Sequence, residues 1–179
     1  MNQDDIDLIR HARRGDIDAF NAIVRNYKNY VYRTTLGILH HPSDAEDAAQ
    51  ETFIKAYQSL SKLRDERSFP TWLARIAVHT ATDWFKASRK YQSVALDQNQ
   101  PIALNDAHQS TQTRLDIEDA IGRLSEEHRI VTVLRAVHGL DYEEIAKMLD
   151  IPIGTVRSRL HNARMRLREL LQDEGGTHP

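Results

Sequence analysis

The sequence has no cysteine, and this excludes a disulfide framework, a thiolate metal site and a cysteine nucleophile. No apolar run approaches the roughly 18 residues that a membrane span needs. Glycine (7) and proline (5) are scarce, which favours helices over a turn-rich β architecture. The opening residues, Met1 to Asp5, are polar and acidic, unlike a secretory signal. We therefore expect a cytoplasmic protein that makes no membrane contact of its own.

Basic residues are unevenly distributed, although the net charge is only −2. Residues 145–168 hold six basic side chains against a single acid, Asp150. By contrast, residues 91–113 contain no lysine, arginine or glutamate. A dense basic block between acidic neighbours is typical of a face that binds an anion such as nucleic acid.

Apolar residues recur at helical spacing through most of the chain. The spacing predicts longer helices over residues 16–39, 43–60, 69–90 and 154–171, with shorter helices between 115 and 149. Polar residues are expected to cap the helix starts: Ser43, Ser68, Ser125 and Asp141. A glutamate three residues after Ser43 and after Asp141 completes the capping-box pattern.

The predicted fold class is all-α, with two small helical domains joined by a flexible linker. The predicted boundaries are 10–90 for the first domain, 91–113 for the linker, 114–172 for the second domain and 173–179 for a frayed tail. The linker assignment depends on five glutamines and a proline without helical periodicity. Within the second domain, a short helix, a turn and a longer basic helix predict a helix-turn-helix.

The basic helix at 153–168 has an apolar stripe. At about 100° per residue, Val156, Leu160, Ala163 and Leu167 lie within about 60° of one another. Polar and arginine side chains cover the remaining surface and are candidate contacts to base edges and phosphates. These candidates are Thr155, Arg157, Ser158, Arg159, His161, Asn162, Arg164 and Met165. A solvated basic helix is the plain alternative, which the preceding short helix and turn make less favourable.

Two motif sets resemble the extracytoplasmic-function sigma factors of the sigma-70 family. Residues 145–164 closely resemble that family's C-terminal helix-turn-helix, which reads the minus-35 promoter element. Residues 44–57 resemble its helix that docks on the clamp helices of core RNA polymerase. Residues 69–77 resemble the start of its minus-10-reading and melting helix. The resemblance extends over about residues 15–168, with the motifs in the family's order on either side of a linker.

Residue roles follow from this resemblance. It implies that core polymerase contacts Asp44, Asp47, Gln50, Glu51, Ile54, Lys55 and Gln58. It implies that the melted minus-10 strand contacts Leu63, Arg64, Asp65, Ser68, Trp72, Arg75, His79, Lys86, Arg89 and Lys90. Without the resemblance, composition alone would favour a solvated surface for the acidic face of the helix at 44–58, and a core position for Trp72. His79 stands where many family members have asparagine, so the preferred minus-10 base is left open.

The length of the linker limits how the two domains can reach the minus-10 and minus-35 elements at the same time. A flexible 23-residue chain spans about 25 Å on average and about 75–80 Å when extended. Promoter elements about 17 base pairs apart are separated by about 58 Å. The linker therefore reaches both elements only when it is nearly extended, and in the free protein the two halves could fold against each other.

The expected partners are core RNA polymerase, promoter DNA as duplex and melted strand, and, by resemblance, a dedicated anti-sigma factor. No metal is expected, since His40 and His41 with the nearby acids match no zinc spacing. No cofactor and no enzymatic activity are expected either. The main alternative is a helix-turn-helix regulator whose N-terminal domain senses or dimerises and never binds polymerase. A helical enzyme is a more distant third possibility.

Overall fold

A computed structural model describes residues 3–95, 117 and 119–175, with side chains for 3–87, 117 and 119–172. Every regular element in these ranges is helical, which confirms the all-α prediction. The α-helices are α1 (Gln3–Arg13), α2 (Ile17–Leu39), α3 (Pro42–Ser59), α4 (Phe69–Ala95), α5 (Glu126–Ala136), α6 (Tyr142–Leu149) and α7 (Ile153–Gly175). Two 3₁₀ turns, Leu60–Lys62 and Glu66–Ser68, connect α3 to α4. Residues 119–122 are also helical.

The first three helices only partly follow the predicted signals. Helix α2 matches its prediction, with the Asp16 side chain accepting a hydrogen bond from the Ala19 amide at 3.0 Å. The predicted Ser43 cap is wrong, because α3 begins one residue earlier at Pro42. Proline suits the first turn of a helix, since its ring fixes φ and its missing N–H would have no intrahelical partner there. Helix α1 lies largely before the predicted domain start and was not predicted.

Helix α4 begins at the predicted residue, Phe69, but differs from its prediction in the N-terminal cap and at the C-terminal end. The Ser68 hydroxyl donates to the Asp65 carbonyl oxygen at 2.7 Å, so this residue closes the 3₁₀ turn and does not cap α4 as predicted. The helix runs to Ala95, five residues into the predicted linker. Those residues include no proline or glycine that would stop it. The remainder of the predicted linker, residues 96–113, lies outside the described residues.

The helix-turn-helix has the predicted local signals. The Asp141 carboxylate accepts from the Glu144 amide, and the Glu144 carboxylate accepts from the Asp141 amide, both at 2.8 Å. Asp150 then takes a left-handed conformation (φ 53°) and turns the chain toward α7. Ser125 occupies the N-cap of α5, as predicted, although its side chain makes no capping bond. Helix α7 continues to Gly175, into the predicted tail.

Two hydrophobic cores hold the chain together. The N-terminal core lies among α1–α4; its largest side chains with almost no exposure are Ile9, Ile23, Leu60, Phe69 and Leu73. The second core contains residues from both halves of the chain, and we call it the shared core. From α2 and α4 it takes Ile38, Ala74, Val78 and Ala81, and from α5–α7 residues such as Val131, Leu134, Ile145 and Val156. The helix-turn-helix therefore packs directly against the N-terminal helices.

Candidate polymerase and nucleic-acid interfaces

Helix α7 buries one stripe and exposes the opposite face. Val156, Leu160 and Ala163 are at most 3% exposed, because they pack into the helix-turn-helix core. The candidate base-reading residues on the other side are exposed: Arg157, Ser158, His161, Asn162, Arg164 and Met165. Thr155 lies at the edge, half-buried. Leu167, the fourth residue of the predicted stripe, is half-buried. The stripe is thus buried at three of its four predicted positions, and a polar face remains available to a duplex.

One arginine of this helix has a protein partner. The Arg159 guanidinium forms an ion pair with the Glu127 carboxylate of α5 at 2.8 Å, and its side chain is 22% exposed. This pair fixes the flank of α7 against α5. Arg157 and Arg164 extend from the exposed surface, so they can reach phosphate or a guanine edge with less rearrangement.

The loop before α4 has buried ends and a polar middle. Leu63 is 3% exposed and Phe69 is fully buried. Leu63 therefore anchors the loop in the N-terminal core and does not lie on its surface, as a direct DNA contact would require. Between these anchors, Arg64, Asp65 and Ser68 are exposed. The Asp65 side chain accepts from the Arg67 amide at 3.0 Å, which stabilises the turn.

The predicted strand-binding residues of α4 share one stripe. At about 100° per residue, Trp72, Arg75, His79 and Lys86 lie within about 60° of one another. His79 and Lys86 are exposed, whereas Trp72 is half-buried against Phe69, with ring centroids 5.7 Å apart. The side chains of Arg89 and Lys90 lie outside the described ones.

The exposed face of α3 combines polar and apolar residues. Asp47, Gln50 and Gln58 are exposed, and Asp44 is half-exposed. Ile54 is 57% exposed, which is unusual for a large apolar side chain and typical of a protein contact.

Glu51 and Lys55 turn from α3 toward α4. The Glu51 carboxylate accepts from the Trp84 indole N–H at 2.5 Å and pairs with Lys55 at 2.8 Å. The Lys55 ammonium also donates to the buried Thr80 hydroxyl at 3.3 Å. The hydrogen bonds from Lys55 and Trp84 lower the pKa of Glu51. These two predicted polymerase contacts therefore already brace α3 against α4.

Arg75 connects the two halves. Its guanidinium donates to the carbonyl oxygens of Lys147 at 2.7 Å and Met148 at 3.4 Å, at the end of α6. The last carbonyls of a helix have no intrahelical donors, and a cation there interacts favourably with the helix dipole. Arg75, which was predicted to bind the minus-10 strand, thus caps the C-terminal end of α6 when the two halves are packed together.

His138 is the centre of a second contact between the halves. Its Nε2 lies 2.8 Å from the Thr34 hydroxyl of α2, and the Tyr30 ring meets it edge-on, with centroids 4.5 Å apart. Its Nδ1 is buried without a hydrogen-bond partner. Burial lowers the pKa of His138 to about 4, because the charged imidazolium would lose its hydration. The imidazole is therefore neutral near pH 7.

Close packing and a cation–π contact complete the interface between the halves. A Cβ built on Gly37 of α2 would lie 2.8 Å from a Val133 methyl group of α5, so glycine is what lets these helices approach so closely. The buried Arg129 guanidinium lies 5.3 Å from the Phe85 ring centroid. Sequence patterns gave no sign of these pairs. An arginine among the apolar positions of α5 is the one signal that could have drawn attention to Arg129.

The described part of the chain offers no metal site and no membrane span. None of its His, Asp and Glu side chains form a group of three or more that could hold a metal ion. No helix in the same residues is both long and apolar enough to cross a bilayer. The His41 ring and the Asp44 carboxylate, 3.6 Å apart, are neighbours on one helix turn.

Comparison with known proteins identifies the two halves separately. Residues 23–91 match the family model for sigma-70 region 2, and residues 114–167 match the model for sigma-70 region 4. The first match includes the predicted docking and strand-binding surfaces, and the second includes the helix-turn-helix. The two regions occur in the order that the sequence motifs predicted.

Similar proteins cover nearly the whole chain. The chain is 33% identical over 183 residues to the ECF RNA polymerase sigma-E factor of Haemophilus influenzae, covering 92% of this chain and 94% of that one. It is 37% identical over 171 residues to the ECF RNA polymerase sigma-E factor of Escherichia coli, covering 88% of each. A solved structure of the sigma factor RpoE with the anti-sigma factor NepR from Bartonella quintana matches at TM-score 0.70 and 25% identity, covering 86% and 96%. The chain belongs to the extracytoplasmic-function (ECF) sigma factors of the sigma-70 family.

Proposed function

We propose that this sigma factor divides promoter-specific initiation among three of its surfaces. Members of its family bind core RNA polymerase and direct it to promoters, and the chain is such a factor. The face of α3 around Asp47 docks on core polymerase. The loop at 63–68 and the stripe on α4 capture the melted minus-10 strand. The exposed face of α7 reads the minus-35 duplex.

The observation that supports this assignment most directly is the polar face of α7. Arg157, Ser158 and Asn162 are exposed outside the buried stripe, on the second helix of a capped helix-turn-helix. Short polar side chains near the start of such a helix can meet base edges, while arginines bind phosphate or guanine.

Run-off transcription on a randomised promoter library, with and without the protein, tests the proposal. With purified core polymerase, we expect protein-dependent transcripts that share two spaced elements. Absence of transcripts, together with duplex binding and no complex with core polymerase, would instead favour the helix-turn-helix regulator.

A substitution on α7 distinguishes base recognition from phosphate binding. We expect Arg157→Ala to relax sequence preference at the minus-35 element by about 1–3 kcal/mol if the arginine makes a bidentate base contact. Arg166→Ala is the matched control, because Arg166 pairs with Glu169 at 3.1 Å on the flank of the same helix. An equal loss on all sequences would make Arg157 a phosphate contact.

A charge reversal on α3 tests the docking face. We expect Asp47→Lys to weaken the complex with core polymerase while minus-35 duplex binding by α7 persists. Glu46→Lys is the control, since this exposed neighbour points about 100° away around the helix. Unchanged affinity of Asp47→Lys for core polymerase would place the docking surface elsewhere.

Promoter binding also requires the two halves to separate. Arg75 of α4 lies within hydrogen-bond distance of α6, whereas the two promoter elements would be about 58 Å apart. The packed arrangement therefore cannot contact both elements at once. We propose that core polymerase stabilises the separated arrangement, in which Arg75 leaves the α6 carbonyls and becomes available to DNA.

Regulation and location follow from the same assignment. We propose that an anti-sigma factor controls this chain, because a similar solved structure holds a sigma factor in complex with one. We also propose that it acts in the cytoplasm, where the polymerase of its relatives works, as an initiation factor with no reaction of its own.

A further inference from the structure

Helix α1 is outside the part of the chain that the family model describes. That match begins at residue 23, whereas α1 spans Gln3–Arg13. The helix is nevertheless well packed: Ile9 is fully buried and Ala12 is 4% exposed, both in the N-terminal core. Its C-terminal end lies next to the loop that connects α3 to α4, and this position brings a basic side chain to the loop.

Arg13, the last residue of α1, binds the middle of that loop. Its guanidinium donates to the Glu66 carboxylate at 2.5 Å, across a sequence separation of 53 residues. Both side chains are partly buried, with 28% and 18% exposed. The neighbouring loop residues Arg64 and Asp65 are exposed by comparison. The ion pair thus ties the 3₁₀ turn at Glu66–Ser68 to a helix that is itself fixed in the core.

The pair also offsets a charge that would oppose DNA. Asp65 and Glu66 place two carboxylates in a loop assigned to a nucleic-acid strand, and unpaired carboxylates repel phosphate. The exposed Asp65 carboxylate accepts from the Arg67 amide, which stabilises the turn and leaves its negative charge in place. Arg13 neutralises Glu66. With Glu66 paired to Arg13, the exposed Arg64 and Arg67 outweigh the charge of Asp65, so the centre of the loop carries no net acidic charge toward the strand.

We propose that Arg13 is a positioning residue for minus-10 recognition. By holding Glu66, it fixes the conformation of the 63–68 loop, so that the loop presents one arrangement of its polar groups to the unpaired base. Arg13 itself does not touch the base. The inference rests on the proposed function of this loop, and its test separates the two.

The test measures base discrimination by the holoenzyme. Fluorescence anisotropy gives its affinity for a labelled single strand with the preferred minus-10 sequence and for strands with each base substituted. We expect Arg13→Ala to reduce the ratio of these affinities by about threefold to tenfold, on the scale of one partly buried ion pair. Affinity for core polymerase and for minus-35 duplex should stay within about twofold, because those surfaces are assigned to exposed residues of α3 and α7, whereas the ion pair joins α1 to the loop before α4.

Matched variants exclude a general loss of structure. Arg14→Ala removes an exposed arginine one residue further along and should leave discrimination unchanged. Glu66→Gln keeps Arg13 and the packing of α1, so it should reproduce the loss with little change in melting temperature. The exchange Arg13→Glu with Glu66→Arg restores the pair and should recover most of the discrimination.

Two results would overturn the inference. One is unchanged discrimination in both Arg13→Ala and Glu66→Gln. The other is an equal loss of affinity for every strand, which would make Arg13 a source of positive charge only. If the unmodified protein itself shows no base discrimination in the minus-10 strand, the proposed function of the loop fails instead, whatever the variants do.

Discussion

A disulfide between the two halves would trap the packed arrangement. The chain has no cysteine of its own, so Gly37→Cys with Val133→Cys introduces a single possible bridge. A Cβ built on Gly37 lies 3.8 Å from the Val133 Cβ, which equals the average separation of about 3.8 Å in disulfides. Replacing Val133 also removes the methyl group that would otherwise lie 2.8 Å from the new Cβ.

The size of the effect follows from the loop that the bridge closes. Positions 37 and 133 enclose about 100 residues, for which the chain-entropy model gives a stabilisation of about 4.7 kcal/mol against unfolding of the whole chain. While the bond is intact, the two Cα atoms stay within about 7 Å of each other, so the halves cannot separate by the roughly 58 Å that lies between the promoter elements. We expect promoter-dependent transcription by the oxidised variant to fall to the level given by its uncrosslinked fraction.

The assay is run-off transcription with core polymerase, after the variant has been oxidised and the oxidant removed. Reduction before the assay should restore activity, and Val133→Cys alone should be insensitive to oxidation. A fully crosslinked protein that transcribes as well as its reduced form would refute the reasoning, because separation would then be unnecessary. Failure of the bridge to form under oxidation would show that the halves do not pack in this way in solution.

Three further predictions concern stability. Gly122→Ala should destabilise the protein by about 1–3 kcal/mol in urea unfolding, because its Cβ would overlap the His40 ring. Gly154→Ala, with nothing within 4 Å, should instead stabilise it by about 0.5–1 kcal/mol; similar effects of both would contradict the packing described. The neutral, partly buried His138 should contribute stability above about pH 6.5 that is lost as the pH falls toward 4. The reason is that the ring binds a proton in this pH range only after unfolding has exposed it to water. Solvent screening of the partly buried ring limits the loss to about 1–2 kcal/mol, and a melting-temperature profile unchanged in His138→Gln would refute the assignment. Asp141→Ala should lower the free energy of unfolding by about 1 kcal/mol through loss of the capping box, and no change in the urea midpoint would mean that the cap contributes nothing.

Local signals explain which elements were predictable. The capping box at Asp141 and the apolar stripe of α7 depend on residues within a few positions of one another, and both predictions were confirmed, the stripe at three of its four positions. The Ser43 cap was predicted wrongly because a second local signal lies beside it. Pro42, one residue earlier, favours the first turn of a helix, and α3 begins there. Periodicity therefore located most helices, while their ends depended on single residues.

The contacts that join distant parts of the chain were not predictable. Thr34 and His138 are 104 residues apart, and Arg13 and Glu66 are 53 apart, so no spacing rule connects them. Arg75 illustrates the consequence for the site. Sequence reasoning assigned its cation to DNA, but the folded chain also offers it the free carbonyls at the end of α6. The choice between these partners depends on three-dimensional packing.

Helix α4 contributes small apolar residues to the shared core between the halves. Ala74, Val78 and Ala81 are at most 2% exposed, so water is excluded from them, yet two of the three have only a methyl group. Hydrophobic stabilisation scales with buried apolar area, at roughly 25 cal/mol per Å². Exposing alanines to water therefore costs far less than exposing leucines. The α4 side of the shared core can therefore exclude water and still separate reversibly. A larger side chain at Ala74 or Ala81 would stabilise the packed arrangement and would also make separation of the halves less favourable.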